Sequence, residues 1–181
     1  AAGAAAVGLS GVALGRAIGG PAVRRVEVRL ARLPRAFDGF SIAQITDLHV
    51  GLTIGRDFVE RVAARVRGLA PDLVAITGDL VDGSPERLRA EVAPLGDLGA
   101  AHGTYFVTGN HEYYSGAAAW MPALAALGIR VLRNERVALE REGAAFDLAG
   151  IDDHNAAGME PGHGPDLSAA LVGRDPAREV V

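Results

Sequence analysis

The stretch Leu73-Val74-Ala75-Ile76-Thr77-Gly78-Asp79 runs a short apolar, β-branched segment directly into a glycine and a carboxylate. Two other stretches share this construction: Ile42–Thr46 leads into Asp47-Leu48-His49, and Tyr105–Thr108 leads into Gly109-Asn110-His111-Glu112. Runs of this length and composition are the pattern of buried strands, and each is followed at once by oxygen or imidazole donors. Asp79 lies 32 residues after Asp47, and Asn110 lies 31 residues after Asp79. That spacing is about the length of one strand-helix-strand unit. Parallel strands joined in this way end at the same edge of a sheet. Three donor packets therefore converge on one crevice, where open α/β sheets hold their ligands.

The segments between the packets supply the helices. Asp57–Leu69 is expected to be helical, with Asp57 and Glu60 at capping-box spacing and Phe58, Val62 and Val66 at four-residue steps. Pro71-Asp72 breaks it. Ser84-Pro85 opens a second helix that runs to Leu98 and is interrupted at Pro94. A third runs from Ala117 to Leu127 and ends at Gly128, before a fourth strand at Ile129–Leu132. Arg136–Glu140 and Ala144–Gly150 form a hairpin turning at Glu142-Gly143.

Upstream, Val26, Val28 and Leu30 alternate with Arg25, Glu27 and Arg29, which predicts a half-exposed strand. Pro34 and Asp38-Gly39 would turn it into the Phe40–Asp47 strand as an antiparallel hairpin. Residues Asp152–Asp166 are loop-like, Asp166–Val172 is a short helix, and Arg178-Glu179-Val180-Val181 resembles the start of another strand. The order predicts an α/β fold: a mixed β-sheet core of βαβ units with a flanking hairpin. The domain occupies 23–181, after an Ala/Gly-rich apolar tail at 1–22.

The chain has 181 residues, 49% of them apolar, which suits one α/β domain. A net charge of −4 leaves no broad nucleic-acid surface. With no cysteine there is no disulfide, thiolate ligand or cysteine nucleophile. The 1–22 tail, charged only at Arg16, is either a flexible linker or the end of a membrane or signal segment. Ala1–Leu14 is too short to span a bilayer by itself.

The packets have a common chemistry. Residues two apart along a strand point the same way, so Asp47 and His49 would aim at a single point. Asp79 can bridge two cations with its two oxygens, and Asn110 offers a neutral amide oxygen. Oxygen and imidazole together suit Mn, Fe, Zn or Co better than Ca or Cu(I). Two such ions about 3.5–4 Å apart place a bridging hydroxide against phosphorus and stabilise the attacking and leaving oxygens. His111, next to a ligand, would protonate the leaving oxygen or stabilise its charge. The chemistry these packets predict is metal-assisted phosphoester hydrolysis.

Asp47-Leu48-His49, Gly78-Asp79-Leu80-Val81-Asp82-Gly83 and Gly109-Asn110-His111-Glu112, in this order, resemble the first three motifs of the calcineurin-like metallophosphoesterases. Ile45–Gly51 and Ala149–Asp153 further resemble the bacterial branch tethered to a membrane by its N-terminus. The resemblance covers Val26 to Val181 and implies part of a four-layer αββα sandwich. It implies two divalent ions, manganese favoured, with Asp47 and His49 on the first, Asp79 bridging, Asn110 on the second and His111 as acid or charge stabiliser. It also implies a phosphoester substrate, most readily a phosphodiester, with a phosphomonoester or nucleotide pyrophosphate as alternatives. Membrane association through the N-terminus, at the bacterial cell membrane, is implied as well; the cytoplasm is the alternative location.

The family's later histidine and Gly-His-x-His motif are absent from this sequence. The resemblance therefore implies a chain truncated at its C-terminus. An inactive fragment or a non-catalytic scaffold is the competing expectation.

Other polar residues have plainer expectations. Asp82 is a turn residue or a brace for the second packet, and Glu112 starts a helix or supports the ligands. His154 and His163 are expected to be solvated loop histidines, and His102 a surface residue. Asp152 and Asp153 would cap the following loop or, more weakly, replace missing ligands. Trp120 and Met121 are expected in the core.

Overall fold

A computed structural model describes residues 21–181; the expected tail at 1–22 lies, but for its last two residues, outside them. Four strands, β1 (Ile42–Ile45), β2 (Leu73–Thr77), β3 (Thr104–Val107) and β4 (Ile129–Val131), form one parallel sheet in the order β1-β2-β3-β4. Ile45, Ile76, Phe106 and Val131 stand in one row across it. The connections carry α1 (Arg56–Leu69), α2 (Pro85–Val92), α3 (Asn110–Tyr114) and α4 (Ala117–Ala125). Every crossover steps the same way along the sheet, and such crossovers are right-handed. The long helices must then share one face.

Alternation along the strands sorts the core into two halves. Val74, Ile76 and Phe106 point to the helices, where they meet Val59, Val62 and Val66 of α1, Val92 of α2 and Trp120 and Leu124 of α4. Leu73, Ala75, Tyr105 and Val107 point the other way, onto Val137, Leu139, Phe146 and Leu148. Those residues belong to the antiparallel pair β5 (Glu135–Arg141) and β6 (Ala144–Gly150). Phe37 and Phe40 close this second half, with Phe37 edge-on to Phe146 at 4.8 Å between ring centroids. The result is helices, sheet, hairpin. A one-turn helix, α5 (Leu167–Ala170), lies beyond β5, where Arg136 donates to the Val172 carbonyl.

The expected mixed α/β fold is present, with three differences in its parts. Residues 21–30 form no strand, and Val26 and Val28 are 70% and 68% exposed. An alternating pattern fixes which side chains share a face but supplies no partner, and among the described residues β1 is left as a sheet edge. Helix α1 does not use the Asp57–Glu60 capping box. Its cap is Gly55, and the free Arg56 N–H donates instead to Glu91 Oε2 on α2 at 2.6 Å. Finally, the helix opened by Pro85 tightens at Pro94 into a 3-10 turn over Ala93–Gly96. The C-terminal segment does add to the hairpin sheet, through a parallel bridge between Val180 and Asp147.

Candidate metal centre

Two residues beyond the row of Ile45, Ile76 and Phe106 the chain reaches Asp47, Gly78 and Thr108, and Asp47 N–H donates to the Gly78 carbonyl at 3.3 Å. The first two loops stay paired past the strand ends. His49 N–H donates to the Asp79 carbonyl at 3.0 Å, Val50 N–H to Leu80 at 2.8 Å and Asp82 N–H to Val50 at 2.8 Å. The third loop approaches from the other side. A Cβ on Gly78 would overlap the backbone of Gly109, and Gly78 has φ +81°, so both bulk and conformation demand glycine there.

The extended-strand geometry expected for Asp47 and His49 is not what brings donors together. The strand has ended at Ile45, and Asp47, His49 and Asp79 all have positive φ, 55°, 49° and 50°. Left-handed residues are costly outside glycine and collect where function holds them. Among the described residues, three of the six positive-φ residues other than glycine belong to candidate ligands.

His49, Asp79 and His111 offer donor atoms that all lie within 4.8 Å of one another. Asp47 is exposed and outside this group, with its carboxylate accepting from Thr46 Oγ1. Asn110 is the first residue of α3, half-buried beside His111. Two imidazoles and a carboxylate, with no thiolate in reach, fit a borderline first-row divalent cation.

Asp82 organises the rings. Its Oδ1 meets His111 Nδ1 at 2.6 Å and His49 Nδ1 at 3.2 Å. The two rings stand edge-to-face, 4.4 Å between centroids. Burial pushes the Asp82 carboxyl up, but the bonds from His49 and His111 outweigh it and hold the group below its ordinary value. An ionised carboxylate only accepts, so both Nδ1 atoms carry protons and each Nε2 is the atom free to act. Sequence alone left Asp82 between turn residue and brace; the braced side chains come from two different loops, which no local pattern records.

Behind the donors the side chains are buried. Glu112, 1% exposed, accepts Gly109 N–H at 2.7 Å, Leu80 N–H at 2.7 Å, Asp79 N–H at 3.0 Å and Val81 N–H at 3.3 Å. Burial pushes its carboxyl above the ordinary value, against the pull of these four donors. Trp120 fixes the second loop through Nε1–H to the Gly83 carbonyl at 2.8 Å.

Asp152 is not a spare ligand. It is buried and bidentate to Arg133, at 3.0 and 2.6 Å, and also accepts Gly164 N–H at 3.2 Å. Asp153 caps its own loop by accepting Asn155 N–H. His154 is exposed as expected. His163 is not: its side chain is 11% exposed, and its Nδ1 meets Tyr113 Oη at 3.3 Å. That contact pins the 152–166 loop to the back of α3. His102 is half-buried against the Phe40 ring.

The sequence model for the calcineurin-like phosphoesterases matches residues 40–165, which contain all three packets. The chain belongs to this metallophosphoesterase family. A Bos taurus protein named "Transmembrane protein with metallophosphoesterase domain" is 43% identical over 176 residues, covering 93% of this chain and 40% of the relative. A Helicobacter pylori "Uncharacterized metallophosphoesterase" is 33% identical over 161 residues, covering 89% and 41%. The metallophosphoesterase relatives thus include animal and bacterial proteins and do not single out a bacterial branch. Among solved structures, the phosphopantetheinyl hydrolase of Mycobacterium tuberculosis aligns with a TM-score of 0.40 at 17% identity, over 62% of this chain and 41% of that one. This metallophosphoesterase chain spans about two-fifths of the length of the curated relatives described. Among the described residues, no helix is long and apolar enough to cross a membrane.

Proposed function

We propose that this domain is the N-terminal part of a metal-dependent phosphodiesterase that holds two divalent cations, with manganese the favoured metal. The observation that supports it is the convergence of His49, Asp79 and His111 at the ends of β1, β2 and β3, with donor atoms within 4.8 Å. His49 and Asp79 would hold cations, with Asp47 and Asn110 on either side to complete two sites. When bound, the cations supply electrophilic stabilisation of phosphoryl oxygens and activation of water.

The remaining chemistry belongs to this chain. Asp82 holds the His111 ring by Nδ1 at 2.6 Å and so points its second nitrogen away from that bond. A protonated His111 Nε2 would donate to the leaving oxygen, and the Asp82 carboxylate beside it stabilises the charged ring. Asp79 Oδ1 accepts His111 N–H at 3.0 Å, which ties the carboxylate to the loop that carries the acid. An N-terminal membrane anchor in the 1–22 tail remains part of the proposal. It is supported by the apolar composition of that tail and by the name of the Bos taurus relative.

The test is hydrolysis of bis(p-nitrophenyl) phosphate by the natural full-length protein with manganese, beside the same assay on Asp79→Asn. Hydrolysis that disappears in the variant supports the proposal. Equal hydrolysis in both removes it. Turnover of p-nitrophenyl phosphate or a nucleotide pyrophosphate, without the diester, would move the substrate to the alternative class.

A further inference from the structure

Among the described residues, Glu112 touches no cationic side chain; it is 1% exposed and spends its two oxygens on backbone N–H groups. Capping α3 would account for one of the four, that of Gly109. The other three, from Asp79, Leu80 and Val81, belong to a loop more than 30 residues earlier. Asp79 sits at φ +50°, a conformation that needs outside support. The lacing is reciprocal, because Asp79 Oδ1 accepts the His111 N–H of α3. The two loops also touch through backbone: a Cβ on Gly109 would overlap Asp79 Oδ1.

We infer that Glu112 is a positioning residue for the metal centre: its buried carboxylate sets the distance between Asp79 and the Asn110–His111 pair without itself meeting the cations. The inference rests on the metal-binding reading of that centre. An acceptor-only group with two oxygens is the side chain suited to gather four N–H donors. Neither a shorter carboxylate nor an amide can do the same. Aspartate at position 112 falls one methylene short, and glutamine turns an NH2 against the donors.

The experiment uses cobalt as the probe, read by its visible absorption in the natural full-length protein held well below its melting temperature. Glu112→Gln and Glu112→Asp are compared with Ser115→Ala. Ser115 Oγ donates to the Val81 carbonyl at 3.0 Å, so it ties α3 to the same loop at a point away from the ligands.

Both Glu112 variants should bind cobalt about tenfold to hundredfold more weakly, the usual effect of removing support behind ligands, and show a shifted band. Ser115→Ala should melt earlier with the wild-type affinity and band. Wild-type affinity and band in a folded Glu112→Gln protein would reduce Glu112 to a cap and overturn the inference. If the Glu112 variants do not fold, Gly109→Ala gives the same decision. Its new methyl displaces Asp79 with Glu112 intact, and an unshifted band there overturns the inference too. A wild-type protein that takes up no cobalt sinks the metal reading itself, and this inference with it.

Discussion

Two carboxylates, Asp82 among the candidate ligands (the front) and Asp152 at the base of the 152–166 loop (the back), have opposite surroundings. Asp82 is 41% exposed and accepts from two imidazoles that carry charge only when protonated. Asp152 has no exposed side-chain surface and is held in two bonds by the Arg133 guanidinium, which stays charged at any ordinary pH. Water reaches and screens the front group. The back pair is shielded on its Asp152 side, and its value is geometric: with His163 and Tyr113, it secures the 152–166 loop against α3. The front should therefore matter for turnover and the back for stability.

The largest test of this contrast is Arg133→Met. It leaves the buried Asp152 charge alone, and breaking a buried pair in this way costs about 3–5 kcal/mol. Because the Arg133 side chain is itself 31% exposed, the lower end is expected. Chemical denaturation measures it, and cobalt affinity of the folded fraction should not move. A lost metal site with unchanged stability would reverse the contrast.

Next comes Asp82→Asn. Removing the group that orients both rings should lower phosphodiester turnover about tenfold to hundredfold, while the denaturation midpoint moves little. Steady-state kinetics decides it, and a fall in stability without a fall in kcat would place Asp82 with the structural carboxylates.

A smaller effect is expected at the joint between front and back. Trp120→Phe deletes the 2.8 Å bond to the Gly83 carbonyl yet keeps an aromatic ring in the core. It should cost about 1 kcal/mol in chemical denaturation, the loss of one part-buried hydrogen bond.

The smallest effect lies at the far end of the sheet. Asp72 accepts the Ser41 N–H and hydroxyl, both at 2.8 Å. Burial raises its carboxyl, but these bonds and the charge of Arg141 outweigh that and hold it below the ordinary carboxylate value. A depressed carboxyl contributes stability that is present above its unfolded value, near pH 4, and is lost as pH falls through the folded value. The stability gap between wild type and Asp72→Asn should then be open at neutral pH and close in acid, in a urea titration read against pH. A gap that widened in acid would mean the Ser41 bonds do not favour the ionised form.

Much of the fold is legible in the sequence, for local reasons. The runs Leu73–Thr77 and Ala144–Gly150 become the strands expected of them, and Glu142-Gly143 makes the turn. The pattern at Val26–Leu30 misleads because pairing requires a neighbour, which alternation cannot supply. His163 misleads in the other direction. A loop histidine between glycines resembles a solvated residue until Tyr113, 50 positions earlier, is placed against it.

The sequence by itself determined the three packets, their spacing and hence the common edge on which they lie, because strand length and crossover length are local properties. It also determined that a bound metal must be held by oxygen and imidazole. Only the tertiary structure decided that one Asp82 oxygen serves two rings, that Glu112 gathers amides from two loops, and that Asp152 is committed to Arg133. Each of those choices depends on which polar atoms of distant segments come within about 3 Å. A hydrogen bond is specified at that scale, and residue order is silent on it.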